Sequence, residues 1–119
     1  MTKLVLIAES NLDTQSAMKL LINLWGHAAI GARNGLEAVE LVMRRRPDIV
    51  VMNLQLPFMS GIEATEFIHL AQPWHSPTLI ALTSQDGARL RRITADAGFV
   101  AHLIQPICPA ELKKLLEYS

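Results

Sequence analysis

The sequence predicts an α/β domain, a doubly wound five-stranded parallel sheet with helices on both faces. Short unbroken apolar runs alternate with longer stretches of helical spacing, and glycine or proline falls between them. The 119 residues suit one core, since single domains typically run ~100–150 residues. A repeated strand-then-helix order requires parallel strands joined by right-handed crossovers, which place helices on both sides of the sheet.

The unbroken runs are Leu4–Ala8, Ala28–Ala32, Ile49–Met52, Thr78–Leu82 and Val100–Ile104. They are rich in Val, Ile, Leu and Ala, the pattern of strands covered on both faces. After the first run, Ala17, Leu20, Leu21 and Leu24 recur at i, i+3, i+4 and i+7, which predicts a helix burying that stripe. Gly26 stops it. Leu36, Val39 and Met43 mark the second helix, and Arg44, Arg45 and Arg46 close it as a solvated end where cations meet the negative pole of the dipole. Pro73 and Pro77 bracket the turn before the fourth strand, and Leu90, Ile93 and Ala97 give the stripe of the fourth helix, stopped by Gly98. Pro109 opens the fifth helix, because its fixed φ suits a first turn, and Leu112, Leu115 and Leu116 share one face.

Half of the residues are hydrophobic and 18% are charged, so residues 1–119 should form one folded domain rather than a disordered chain. Eleven basic residues balance eleven acidic ones, which leaves no global field to drive nucleic-acid or membrane binding. The single cysteine, Cys108, excludes an internal disulfide framework and any cysteine cluster for zinc. The apolar run near Met1 is too brief for a signal-peptide core or a membrane span, so a cytoplasmic location is expected.

Doubly wound sheets place their sites outside the carboxyl ends of the strands. Those ends read Glu9-Ser10-Asn11 after the first strand, Asn53-Leu54-Gln55-Leu56-Pro57 after the third, Thr83-Ser84 after the fourth and Gln105-Pro106 after the fifth. Together with Asn34-Gly35-Leu36-Glu37-Ala38, Pro47 through Asn53, Leu56 through Thr65, Pro77 through Thr83, and Pro109-Ala110-Glu111-Leu112, they resemble the receiver domains of response regulators and hybrid histidine kinases. The resemblance covers essentially the whole chain. It implies a flavodoxin-like (βα)5 fold with strand order 2-1-3-4-5, a role in two-component signalling rather than an enzyme's, and a cis peptide at Gln105-Pro106.

In receivers, an acidic pair after the first strand and an Asp after the third hold Mg²⁺, and that Asp accepts a phosphoryl group from a histidine kinase. A Ser or Thr after the fourth strand and a Lys after the fifth bind the phosphoryl oxygens, and an aromatic residue in the fifth strand swings inward. The matching positions here are Glu9-Ser10, Asn53, Thr83, Gln105 and His102, so only Thr83 keeps the family's residue type. The neutral amide of Asn53 has its nitrogen lone pair delocalised and is no substitute for a carboxylate nucleophile. Glu9 alone makes a poor site for Mg²⁺, which favours one or two carboxylates plus phosphate oxygens. Gln105 lacks the cation that would neutralise a phosphoryl group. The expectation is a pseudo-receiver with no metal, in which Glu9, Ser10, Asn53 and Gln105 form a hydrogen-bonded polar rim and an Asn–Gln–Thr network locks the loops. The competing readings are a conventional phosphoacceptor switch with residual Mg²⁺ or phosphoryl sensing, which Asn53 opposes, and a nucleotide- or flavin-binding domain. The latter lacks a glycine-rich phosphate loop after the first strand.

Without phosphoryl chemistry, function must reside in a surface. In receivers the face of the fourth helix, fifth strand and fifth helix docks partners or a second receiver. Arg89, Arg91 and Arg92, His102, and Lys113 and Lys114 fall on those elements, which points to an acidic signalling partner, with a second copy of the chain as the alternative. Direct nucleic-acid contact is not expected, because no recognition helix is evident. Thr83 reads as a hydroxyl satisfying nearby backbone, His102 as a packed strand residue, Cys108 as a small buried residue, and Trp25 and Trp74 as packing residues at a helix end and in a loop.

Overall fold

The computed structural model describes residues 2–73 and 76–119. Each apolar run becomes a strand: β1 (Leu4–Ala8), β2 (Ala28–Ala32), β3 (Ile49–Asn53), β4 (Thr78–Thr83) and β5 (Phe99–Ile104). The helices between and after them are α1 (Leu12–Leu24), α2 (Gly35–Arg45), α3 (Gly61–Ala71), α4 (Ala88–Ala97) and α5 (Pro109–Glu117). All strand pairs are parallel, in the order β2-β1-β3-β4-β5. The Gln105–Pro106 peptide is cis.

Successive side chains of a strand point to opposite faces, and the core divides accordingly. Leu6, Ala8, Val50, Met52, Leu79 and Ala81 pack against Ala38 and Val42 of α2 and Ala64 and Ile68 of α3. Val5, Ile7, Ile49, Val51, Ile80 and Leu82 pack against Met18 and Ile22 of α1 and Leu112 and Leu116 of α5. Trp25, the C-cap of α1, packs against this second layer; Trp74 lies outside the described residues.

Three helical stripes differ from the expected ones. In α1 the buried residues are Gln15, Met18 and Ile22, whereas Leu20 and Leu24 are 60% and 71% exposed and Ala17 is exposed. The helix is apolar on two sides, and the side that faces the sheet contains a polar residue, so hydrophobicity alone selects the wrong one. Gln15 earns its burial by donating from Nε2 to the carbonyls of Glu9 and Ala32, each at 3.0 Å. In α2 the stripe shifts by one residue to Gly35, Ala38 and Val42, leaving Leu36 and Met43 exposed. The small residues face inward because a Cβ on Gly35 would fall 2.3 Å from the Met59 carbonyl oxygen. In α4 the only buried residue is Thr94, while Leu90 and Ala97 are half-buried and Ile93 is exposed. The α5 stripe lies as expected, with Leu112 and Leu116 buried and Leu115 half-buried. Arg44 and Arg45 lie in the last turn of α2, and Arg46 ends it in the left-handed region.

Candidate functional site

The carboxyl ends of β1 and β3 meet at a closed polar pair. Glu9 is 3% exposed. Its Oε1 accepts from Asn53 Nδ2 at 3.1 Å, and its Oε2 accepts from the Asn11 backbone N–H at 3.2 Å. Asn53 Oδ1 in turn accepts from the Gln55 N–H at 2.8 Å. This assignment of the amide is the one that fits both neighbours, because a carboxylate only accepts and a backbone N–H only donates. The backbone brings α3 tightly onto the pair. A Cβ on Gly61 would lie 2.6 Å from the Asn53 carbonyl oxygen, so only glycine permits this approach.

The other strand-end residues do not join that pair. Thr83 Oγ1 accepts from the Gln85 N–H at 3.1 Å. Gln105 donates its backbone N–H to the Thr83 carbonyl at 2.8 Å, and its side chain lines a groove of about 660 Å³ with Thr14, Met18, Leu21 and Ile107. The expected Asn–Gln–Thr network is therefore a Glu9–Asn53 pair with Thr83 satisfied separately. Gln105 follows β5, with β4 between that strand and β3, and lines the groove beside α1 rather than meeting the pair. Ser10 is exposed and lines a shallow cavity of about 410 Å³ with Arg33, Asn34, Pro57 and Phe58. Cys108 is exposed, contrary to expectation. It is the N-cap of α5, and a helix end at the sheet rim projects its cap away from the core.

On the α4–β5–α5 face, Arg89, Arg91, Arg92, Lys113 and Lys114 are all exposed. Arg91 is not a free cation, since its Nε and Nη2 donate to Asp86 at 2.7 and 3.2 Å. That guanidinium holds the Asp86 carboxyl below its usual range, helped by the Gly87 N–H, and Asp86 raises Arg91 in return. His102 is half-buried beneath this pair. Its Nε2 meets Thr94 Oγ1 at 2.5 Å, while its Nδ1 is buried without a partner among the described residues. Burial, then Arg91, lowers its pKa, against an opposing pull from Asp86.

Residues 5–117 match the family described as the response regulator receiver domain. The polar-differentiation response regulator DivK of Brucella anthropi is 34% identical over 111 residues, which cover 90% of this chain and 87% of that protein. The chain belongs to the response regulator receiver family. Among solved structures, the receiver domain of the sensor histidine kinase PA1611 from Pseudomonas aeruginosa is 26% identical with a TM-score of 0.88, over 99% of this chain and 97% of that one. Its active-site cleft coordinates a magnesium ion. The chemotaxis protein CheY4 of Vibrio cholerae shares the fold at a TM-score of 0.92 and 19% identity, over 99% of this chain and 98% of that one.

This receiver is thus a module of two-component signalling, a family that works through contacts with other signalling proteins. No described helix is long and apolar enough to cross a membrane. Sequence reasoning overlooked four residues around its site. Gln15 was hidden by its place in an apolar helix. Thr94 and Asp86 carry no pattern until α4 is folded against β5. Phe58 is 86% exposed at φ 69°, and its signal was an aromatic in a loop position that demands a left-handed backbone.

Proposed function

We propose that this receiver signals without phosphoryl transfer, as a pseudo-receiver whose strand-end pocket is held in one state and whose output is a protein contact. The observation that carries the reading is the hydrogen bond from Asn53 Nδ2 to Glu9 Oε1. Two carboxylates at this separation repel unless a cation lies between them. The amide N–H supplies the positive end that a divalent cation supplies elsewhere, and both oxygens of Glu9 already accept hydrogen bonds. The PA1611 receiver coordinates magnesium in its cleft; we take the pocket here to need none and to offer no anionic nucleophile for an acyl phosphate.

The contact surface in this reading is the α4–β5–α5 face. Arg89, Arg92, Lys113 and Lys114 present positive charge there, which suits an acidic surface on a cytoplasmic signalling protein, while Asp86 offsets Arg91. Paired charge reversal, Arg92→Glu with Lys114→Glu, should weaken partner binding at least about tenfold, most strongly at low salt. Binding left unchanged would remove this face from the proposal.

The deciding experiment is an amide NMR titration of mass-verified protein with Mg²⁺ and then beryllofluoride, beside the Asn53→Asp variant. The expected result is no saturable shift near Glu9, Asn53, Thr83 or Gln105 in the native protein, with shifts in the variant. Saturable shifts in the native protein that spread to His102 would instead establish a residual phosphoryl-sensing switch.

A further inference from the structure

The α4 helix is attached to the domain in an unusual way. Its N-cap, Gly87, offers no side-chain hydrogen bond, and Thr94 is its only buried residue. The deepest contact it makes with β5 is therefore polar. Assigning the single proton of Thr94 Oγ1 to the Arg91 carbonyl at 3.1 Å makes the hydroxyl the acceptor towards His102 and puts the hydrogen on His102 Nε2. The remaining nitrogen, Nδ1, then presents a lone pair into a buried space with no partner among the described residues.

We propose that the His102–Thr94 hydrogen bond is a proton-operated latch, which holds α4 on β5 while the ring is neutral and releases it when the ring is protonated. A proton added at Nδ1 would create a buried N–H with no acceptor and place a full charge in a partly desolvated site. The charged groups that face the ring decide where it goes. Arg91, on α4, repels an imidazolium, and Asp86, in the loop before α4, attracts it. Glu111, on α5, acts on Arg91. The neighbour of His102 on β4 is Ala81, which carries no charge. Leaving Thr94 for the solvent-side carboxylate of Asp86 relieves both costs, and α4 loses its buried tether to the sheet.

A second histidine in contact with α4 provides an internal control. His69, on α3, contacts the Ala97 carbonyl through Nε2 at 3.2 Å and Ser76 Oγ through Nδ1 at 3.1 Å. Both its nitrogens have oxygen partners, so a second N–H there finds an acceptor. The latch is separate from the Glu9–Asn53 pair and stands whether or not the pocket is silent towards phosphoryl groups.

The sign of the effect follows from the direction of the shift. With the folded pKa of His102 below its ordinary 6.5, the latch is intact above that value and is lost as pH falls through the lowered one. The test is hydrogen exchange of α4 amides from about pH 8 to about pH 5, corrected for intrinsic rates, in the native protein and in His102→Gln. In the native protein, opening of α4 should be flat above pH 6.5 and rise by up to about tenfold per pH unit below it, while α1 stays flat. His102→Gln, which cannot titrate, should show no such slope. The His102 ring resonances, followed in the native protein alone, should titrate below 6.5 together with α4, so the test survives a variant that fails to fold. A slope that persists in His102→Gln would show that another group opens α4, and a ring that titrates without any change in α4 would show there is no latch. Either result overturns the proposal.

Discussion

The corner where β3 meets α3 and the corner where β5 meets α4 are built on different principles. At the first, Ser60 and Glu63 form a reciprocal capping box, Ala64, Thr65 and Ile68 are fully buried, and Gly61 lets the helix touch the backbone of Asn53. At the second, a helix with no side-chain bond at its N-cap is tied down through Thr94, His102 and His69. Burial of apolar surface is indifferent to protons and partners, whereas hydrogen bonds and charges respond to both. A domain held by apolar burial at β3 can still change at α4, and the contrast predicts which substitutions act globally and which act on one helix.

The largest effect should come from the apolar corner. Ile68→Ala removes a fully buried side chain between α3 and the sheet, and should cost about 2–5 kcal/mol in urea unfolding. The matched change on α4, Ile93→Ala, removes a side chain that is 43% exposed and should cost less than about 1 kcal/mol. Equal costs would dissolve the contrast.

Next is Asn53→Asp. In chelator it places a second carboxylate against Glu9 and removes a hydrogen bond to a buried group, a loss of about 1–3 kcal/mol. Added Mg²⁺ should restore most of it in the variant and change the native protein little, as read from unfolding midpoints with and without the ion. Ser60→Ala should follow at about 1 kcal/mol, with faster hydrogen exchange confined to the first turn of α3, because α4 shares no cap with it.

The same contrast explains what the sequence could disclose. The strands were legible almost to the residue, because a doubly covered strand must be an unbroken apolar run. The α5 stripe was legible because Pro109 fixes its start and only one side of the helix is apolar. The α1 and α2 stripes were not, since Leu20, Leu24, Leu36 and Met43 are large, apolar and exposed, and what they leave facing the sheet includes Gln15 and Gly35. At the site, the amide at position 53 was visible, and so were the positions of Glu9 and Thr83 at the strand ends. The pairing of Glu9 with Asn53 but not with Gln105 required the sheet. The Thr94–His102 contact required the packing of α4 on β5, for which eight residues of separation give no local rule.

The smallest effect is expected from the most conspicuous ion pair, Arg91 with Asp86. Both groups are open to solvent, where water and salt screen the attraction and two mobile side chains must be ordered to make it. Arg91→Gln should therefore leave the urea midpoint unchanged within error at neutral pH, even though it breaks the shortest salt bridge of the described residues. Its consequence should appear in titration instead. The Asp86 carboxyl, held low chiefly by Arg91, should move back towards its ordinary 3.8. The His102 ring should rise as well, since the cation that disfavours its protonation is gone. If α4 is fastened by its surface charges, the midpoint will fall. If it is fastened by Thr94 and His102, the midpoint will hold, and the acid-induced opening of α4 will shrink, because the folded pKa of the ring moves back towards its ordinary 6.5.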